Sequence, residues 1–306
     1  MSRTVLVSGA SGFVGSHLTG SLAERGHDVR AMTRRPGDYR GPGRPVRGDV
    51  FDPDSLSAAL SGVDAAYYLV HSLGAADFAA KDVQGARNFA DACGRAGLDR
   101  IVYLGGLGDD DEALSPHLRS RREVERELRS GPVPVTVLRA AVVIGHGSLV
   151  WEITRQLVDH LPTVITPRWV NTRTQPIALA DVLRYLVGVL EPDQARGATY
   201  EIGGADVLRY LDMLQRTAEV QGRRLPNLSV PLLTPRLSSM WLALVTDVDT
   251  ATAGNLVDSM TNEMVVRDHA IQDLVPGDVL GFDESARHAL DECAKAPRRA
   301  HAMGGR

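Results

Sequence analysis

Gly9-Ala10-Ser11-Gly12-Phe13-Val14-Gly15 stands between an apolar run, Thr4–Ser8, and a helical pattern, Phe13–Arg25, closed by Gly26. Few backbone geometries need three glycines spaced three apart at such a junction. Gly9 permits a tight turn out of a strand. Gly12 lets the backbone approach a pyrophosphate, and Gly15 lets the helix lie close on the sheet. The free N–H groups and positive dipole end of the helix then face the phosphates, with Ser11, Phe13 and Val14 beside them. A glycine pattern alone is weak evidence. Here it has its strand–turn–helix context, and a second strand, Asp28–Met32, follows at the right distance.

The alternation continues. Pro45–Gly48 reads as a third strand, Asp54–Leu60 as a helix with Asp54 or Ser55 near its cap, and Ala65–Val70 as a fourth strand. A long helix, Phe78–Ala96, ends at Gly97 and precedes a fifth strand, Arg100–Gly105. A helix over Pro116–Ser130, stopped by Gly131-Pro132, precedes a sixth, Val135–Arg139. This βαβ rhythm predicts an α/β fold, a doubly wound parallel (Rossmann) sheet with helices on both faces. After about residue 145 the rhythm loosens. Ser148–His160 reads as helical, and a short strand lies between Pro162 and Pro167. A helix over Leu179–Leu190, a strand over Thr199–Ile202 and a helix over 206–222 follow. The stretch 226–275 is rich in Pro, Leu, Met and Trp. The pattern predicts a dinucleotide-binding domain over 1–145 with return segments near 175–204. A smaller, partly helical C-terminal substrate lobe takes 146–174 and 205–294, and 295–306 is a flexible basic tail.

Composition excludes several function classes. The 306 residues carry 34 Lys and Arg against 38 Asp and Glu, a net charge of -4, without the basic excess of a nucleic-acid binder. Cys93 and Cys293 lie far apart and outside any metal-ligand spacing, which predicts reduced thiols and no metal site. The run Thr4-Val5-Leu6-Val7 is too short for the apolar core of a signal peptide, and no stretch reaches the ~20 apolar residues of a membrane span. The expectation is a cytoplasmic protein, monomer or homodimer, acting on a small molecule.

The cofactor is read from the end of the second strand. An NAD site places Asp or Glu there for the ribose 2′-hydroxyl. Thr33-Arg34-Arg35 puts two guanidinium groups there instead, suited to a 2′-phosphate, so the expected cofactor is NADP(H). After the third strand, Asp49 can accept from the adenine amino group while Val50 packs on the ring. Leu69, Val70 and His71 follow the fourth strand, and Gly105 the fifth; all should line the nucleotide crevice.

These features resemble the short-chain dehydrogenase/reductase superfamily, in its extended and atypical branches. The glycine turn, Asp49, the 100–108 strand and turn and the Val135–Arg139 strand carry the likeness. So do Gln175-Pro176-Ile177-Ala178 with Asp181-Val182, and Thr199–Gly204. Tyr67–Ser72, Tyr103–Gly108, Ser115–Glu125, Ile144–Ser148 and Leu244–Asp247 resemble, more narrowly, the YbjT-like NAD(P)H-binding group. The resemblance implies an oxidoreductase. It also exposes a departure. The superfamily places Tyr and Lys four apart on the helix after the fifth strand, and a Ser just after that strand. Here those places hold His117, Arg121 and Gly105-Gly106, and no Tyr-x-x-x-Lys occurs anywhere.

Spacing of four puts His117 and Arg121 on one helical face. His117 ordinarily titrates near neutrality, as a general acid or base does. Arg121 keeps its charge and can bond the nicotinamide ribose or polarise a carbonyl. Ser120 and His71 are candidate auxiliaries. Trp151, Trp169, Trp241 and Arg168 are candidate substrate contacts. The leading expectation is an NADP(H)-dependent enzyme reducing a small, largely apolar carbonyl, enone or quinone-like molecule. The alternatives are a non-catalytic NADP(H)-binding sensor or scaffold, and a non-redox isomerase or lyase on the same fold.

Overall fold

The structure is a computed structural model that describes residues 2–71, 78–109, 113–166, 168–229, 246 and 250–295. Six strands alternate with helices in the first half: β1 Thr4–Ser8, β2 Asp28–Thr33, β3 Arg44–Arg47, β4 Ala65–Tyr68, β5 Arg100–Gly106 and β6 Val135–Ala140. The helices between them are α1 Phe13–Glu24, α2 Pro53–Leu60, α3 Phe78–Ala96 and α4 Pro116–Arg129. Short strands β7 Val143–Ile144, β8 Val164–Thr166, β9 Arg173–Thr174 and β10 Ile177–Ala178 follow, then β11 Thr199–Ile202, β12 Leu208–Arg209 and β13 Asn227–Ser229. Helices α5 Leu149–His160, α6 Leu179–Gly188, α7 Tyr210–Val220, α8 Thr250–Ser259, α9 Ala270–Leu274 and α10 Phe282–Lys295 complete the described elements.

Seven strands form one parallel sheet in the order β11-β6-β5-β4-β1-β2-β3. This is the doubly wound Rossmann arrangement predicted from the alternation. Its central strands β1, β4 and β5 are buried on both faces because helices cover both. In β1, Val5 and Val7 join one core cluster with Leu18 and Leu22 of α1 and Val182 and Tyr185 of α6. Leu6 points the other way, into a cluster with Leu56 of α2, Phe89 of α3 and Val124 of α4. Strand order reverses between β4 and β1, which opens a crevice at their C-terminal ends.

Several boundaries differ from the sequence reading, most by one or two residues, and those of α2, β4 and α7 have a local reason. The cap of α2 is Asp52, not Asp54 or Ser55: its carboxylate accepts from Ser55 N at 3.2 Å, and Pro53 takes the first helical position. Strand β4 stops at Tyr68 rather than Val70 because β1 turns away at Gly9. The Ser8 hydroxyl substitutes for the lost ladder, donating to Tyr67 O at 2.8 Å and accepting from Leu69 N at 3.2 Å. Helix α7 starts at Tyr210 because Leu208–Arg209 pairs with β9 and the Asp212 carboxylate accepts from Arg209 N at 2.9 Å. Helix α6 ends at Gly188 rather than Leu190, with Val189 as its C-cap.

The later elements are tied to the sheet through β11 and through Gln175, which is buried. Gln175 Nε2 donates to Gly204 O at 2.8 Å and its Oε1 accepts from Val266 N at 2.9 Å. Further apolar clusters form around Trp151, Met213 and Phe282, and around Leu157, Leu214 and Val257. Among the described residues, no helix is long and apolar enough to cross a membrane.

Candidate active site

The glycine turn lies at the crevice between β1 and β4. Gly9 has φ +70, and a Cβ there would stand 2.8 Å from Leu69 O at the end of β4. A Cβ on Gly15 would run into Gly9 O, and one on Gly12 would lie 3.1 Å from the same oxygen. The turn is therefore closed to side chains. Gly12 caps α1 without any side-chain acceptor, so the first N–H groups of α1 remain open to an anion. This cradle fits a pyrophosphate.

A cleft of about 500 Å³ extends from the turn. Of the residues expected to bind cofactor, Gly9, Ser11, Gly12, Thr33, Arg34, Arg35, Asp49, Val50, Leu69, Val70 and His71 line it. Phe13, Val14 and Gly15 do not line it. Gly15 is buried against the turn, and Phe13 packs edge-on to His17 with ring centroids 5.9 Å apart. Gly105 and Arg121 lie outside it as well. Sequence reasoning missed Met32, Asp38, Tyr39, Gly48 and Phe51, which also line the cleft. Gly48 carried a signal: it ends the third predicted strand, and a Cβ there would meet Met32 Sδ.

Because β1 lies between β4 and β2, Arg34 and His71 stand on opposite sides of the turn. Arg34 and Arg35 are exposed beyond β2. Asp49 spends one carboxylate oxygen on its own turn, accepting from Phe51 N at 3.0 Å, and Val50 is buried beneath it.

On the other side, the structure brings His71, His117 and Arg121 together. The two imidazole rings lie 5.2 Å apart between centroids, tilted by 47°. Helix α4 presents His117 one turn before Arg121. Its start is fixed twice: Ser115 Oγ accepts from Leu118 N at 3.3 Å, and the buried Asn262 clamps the preceding backbone. Asn262 Oδ1 accepts from Ser115 N at 2.9 Å, and its Nδ2 donates to Ala113 O at 3.1 Å. Neither contact is visible in local sequence. Asp82 of α3, equally unforeseen, bonds His71 Nδ1 at 2.9 Å through Oδ2.

The expectation that His117 titrates near neutrality is corrected here. Burial, then the Arg121 guanidinium and His71, push it down to about 3. His71 is lowered too, first by burial and then by Arg121, against the pull of the Asp82 hydrogen bond and charge. His117 is therefore neutral in the folded state around pH 7. Unfolded, a histidine takes up its proton near pH 6.5. The unfolded chain thus binds more protons between 6.5 and about 3, and stability falls as pH drops through that window. We expect His117→Phe to flatten the acid limb of a denaturant-midpoint profile, by at most about 1.4 kcal/mol per pH unit. An unchanged slope would mean that the ring is solvated in the native state.

In the place of the missing serine, a Cβ on Gly106 would stand 2.9 Å from Leu118 Cδ2 of α4. Ser120 is buried, with Oγ unpartnered among the described residues. Trp151 is fully buried in the cluster that includes Leu107 and Leu118. Arg168 and Trp169 lie in a 3₁₀ turn, Arg168–Asn171, but their side chains and the whole of Trp241 fall outside the described residues.

The fold and the glycine turn define a dinucleotide-binding α/β protein. The profile of a family described as NAD(P)H-binding matches residues 9–158. Over those residues, just under half of its length, the chain matches an NAD(P)H-binding family of the atypical short-chain dehydrogenase/reductase type. A 3-beta-hydroxysteroid dehydrogenase of Mycolicibacterium neoaurum is 33% identical over 114 residues, 32% of this chain and 31% of that one. The chain thus matches about a third of the length of such curated relatives. Sanguinarine reductase of Eschscholzia californica is 27% identical over 63% of this chain and 86% of its own. An NADPH-dependent quinone oxidoreductase of Escherichia coli, solved with NADPH, superposes with a TM-score of 0.77 at 19% identity, covering 94% of this chain and 99% of that one. The last likeness is one of fold.

Proposed function

We propose that the protein is an NADPH-dependent reductase of a small, largely apolar carbonyl, enone or quinone-like molecule. The observation that carries this reading is the contact between His71, which lines the dinucleotide cleft, and His117, one helical turn from Arg121. The cofactor chemistry and a polar pair able to act on an oxygen are therefore adjacent. The reduced nicotinamide supplies a hydride when bound. The backbone of Gly9–Gly12 and the start of α1 hold the pyrophosphate, and Arg34 and Arg35 hold the 2′-phosphate. Neutral His117 donates an N–H to the substrate oxygen, and Arg121 stabilises the negative charge that builds there. Residues 146–174 and 205–294 are assigned to the substrate side.

The names of sanguinarine reductase and the quinone oxidoreductase support an extended, conjugated acceptor. Deuteride transfer is the direct test. Protein is incubated with NADPH deuterated at nicotinamide C4, in either configuration, and a panel of ketones, enones and quinones. Deuterium in a product supports the reading. Tight NADPH binding with no transfer to any panel member favours a non-catalytic sensor or a non-redox enzyme instead. Cofactor choice has its own test. Arg34→Glu removes a charge-assisted bond to the 2′-phosphate and adds repulsion, so NADPH affinity should fall about 10–100-fold. NADH affinity should change by no more than about threefold. Equal losses in calorimetric titrations would refute the 2′-phosphate assignment.

A further inference from the structure

One buried carboxylate beside the site does not line the dinucleotide cleft. Asp82 is 3% exposed, on α3, and it bonds His71 Nδ1. An ionised carboxylate only accepts, so the bond keeps the proton on Nδ1 and leaves Nε2 as the exchangeable position. That Nε2 is buried and has no hydrogen-bond partner among the described residues. Nδ1 of His117, on the adjacent ring, is in the same condition. Two buried polar atoms left unbonded side by side are costly, about 1–3 kcal/mol each. Such atoms persist where something passes between them or binds there.

The geometry points to Asp82 as the positioning residue of a proton path that runs through His71 to His117 and on to the substrate oxygen. This rests on the reductase reading above. In one turnover the substrate carbon gains a hydride and its oxygen takes the electron pair of the broken π bond. The His117 Nε2–H bond breaks as an O–H bond forms. His117 Nδ1 takes a proton from the Nε2–H of protonated His71, directly or across one water. His71 ends neutral, its Nδ1–H still held by Asp82, and is recharged from solvent; His117, left protonated on Nδ1, returns to the Nε2–H tautomer by proton exchange with solvent once product leaves. The step consumes one proton per hydride and needs no other reactant. Asp82 makes it feasible because burial and Arg121 both resist a charged His71, and Asp82 alone in the cluster opposes them. The titratable and charged groups around the pair are Asp82 from α3, His117 and Arg121 from α4, Tyr68 from β4 and Tyr103 from β5.

The test uses the full-length protein and two isosteric variants, Asp82→Asn and His71→Gln. In ¹⁵N-histidine spectra, wild-type His71 should carry its proton on Nδ1, and its titration should perturb the His117 nitrogens. Asp82→Asn should lower the His71 midpoint and remove that coupling. A wild-type His71 protonated on Nε2, or titrations of the two rings that ignore each other, would overturn the path. These spectra need no substrate, so they decide even where no hydride moves in wild type and the reductase reading itself fails. With an accepted substrate, Asp82→Asn should lower kcat roughly 100-fold at unchanged NADPH KM. It should also move the basic limb of the kcat profile to lower pH, and Asp82→Glu should recover part of both. His71→Gln should erase that limb. Retention of the limb in His71→Gln, or equal damage to KM and melting temperature in Asp82→Asn, would leave Asp82 a structural residue and end the proposal.

Discussion

His117→Phe lowers the rate of hydride transfer by about 10²–10⁴-fold, the usual range for removing a positioned acid or polarising donor. NADPH binding stays within about threefold. The two outcomes separate because His117 does not line the dinucleotide cleft, whereas His71 does. Phenylalanine preserves a planar ring in a site that burial and Arg121 already keep uncharged, so packing against His71 survives and only the N–H is lost. Single-turnover traces with excess enzyme measure the chemical step apart from product release. A variant that binds NADPH equally weakly and slowly would make His117 a packing residue. A variant with full turnover would leave Arg121 as the sole electrostatic group at the substrate oxygen.

Gly15→Val removes cofactor binding and costs roughly 3 kcal/mol of stability, the upper end for overpacking a tight interior. Its Cβ would run into Gly9 O and lie 2.9 Å from Gly9 C and 3.0 Å from Ala10 Cα. None of these atoms can swing aside, since all belong to the turn that cradles the phosphates. Helix α1 would have to lift from the sheet, carrying its open N–H groups away from the cleft. Gly20→Ala on the same helix is the control. Its Cβ would meet only Pro42 Cγ, at an ordinary 3.5 Å, so alanine should stabilise by up to about 1 kcal/mol. Urea midpoints of the two variants should move in opposite directions, and only Gly15→Val should lose NADPH binding. Parallel behaviour would mean that the helix tolerates displacement.

The doubly wound sheet was legible because most strands of the first half are short apolar runs and the helices between them carry capping or stopping residues. The boundaries of α3 and β11 agree with the sequence to the residue, each set off by clear flanking signals. The end of β4 was not legible, because it depends on a hydroxyl from β1 reaching across the sheet. The phosphate side of the cleft was readable from glycines and arginines, whose chemistry is local. The reactive side was readable only in part. Asp82 did leave a trace: it falls on the buried stripe of α3 with Phe78, Gly85, Ala86 and Phe89, where a carboxylate is out of place unless bonded. Its partner, eleven residues upstream, could not be inferred from that position alone. The depressed titration of His117 was hidden too, since burial of that face of α4 is not written in its local sequence.

The Asn262 clamp gives the site a birth order. The glycine turn and its flanking strands lie within the first third of the chain and leave the ribosome early. The backbone ahead of His117 is held by a side chain 147 residues later. At about 5–20 residues per second, that residue follows on the order of 10–30 s behind. A nascent chain can therefore shape its nucleotide cradle well before the backbone ahead of His117 is clamped, so the two sides of the crevice are finished at different times.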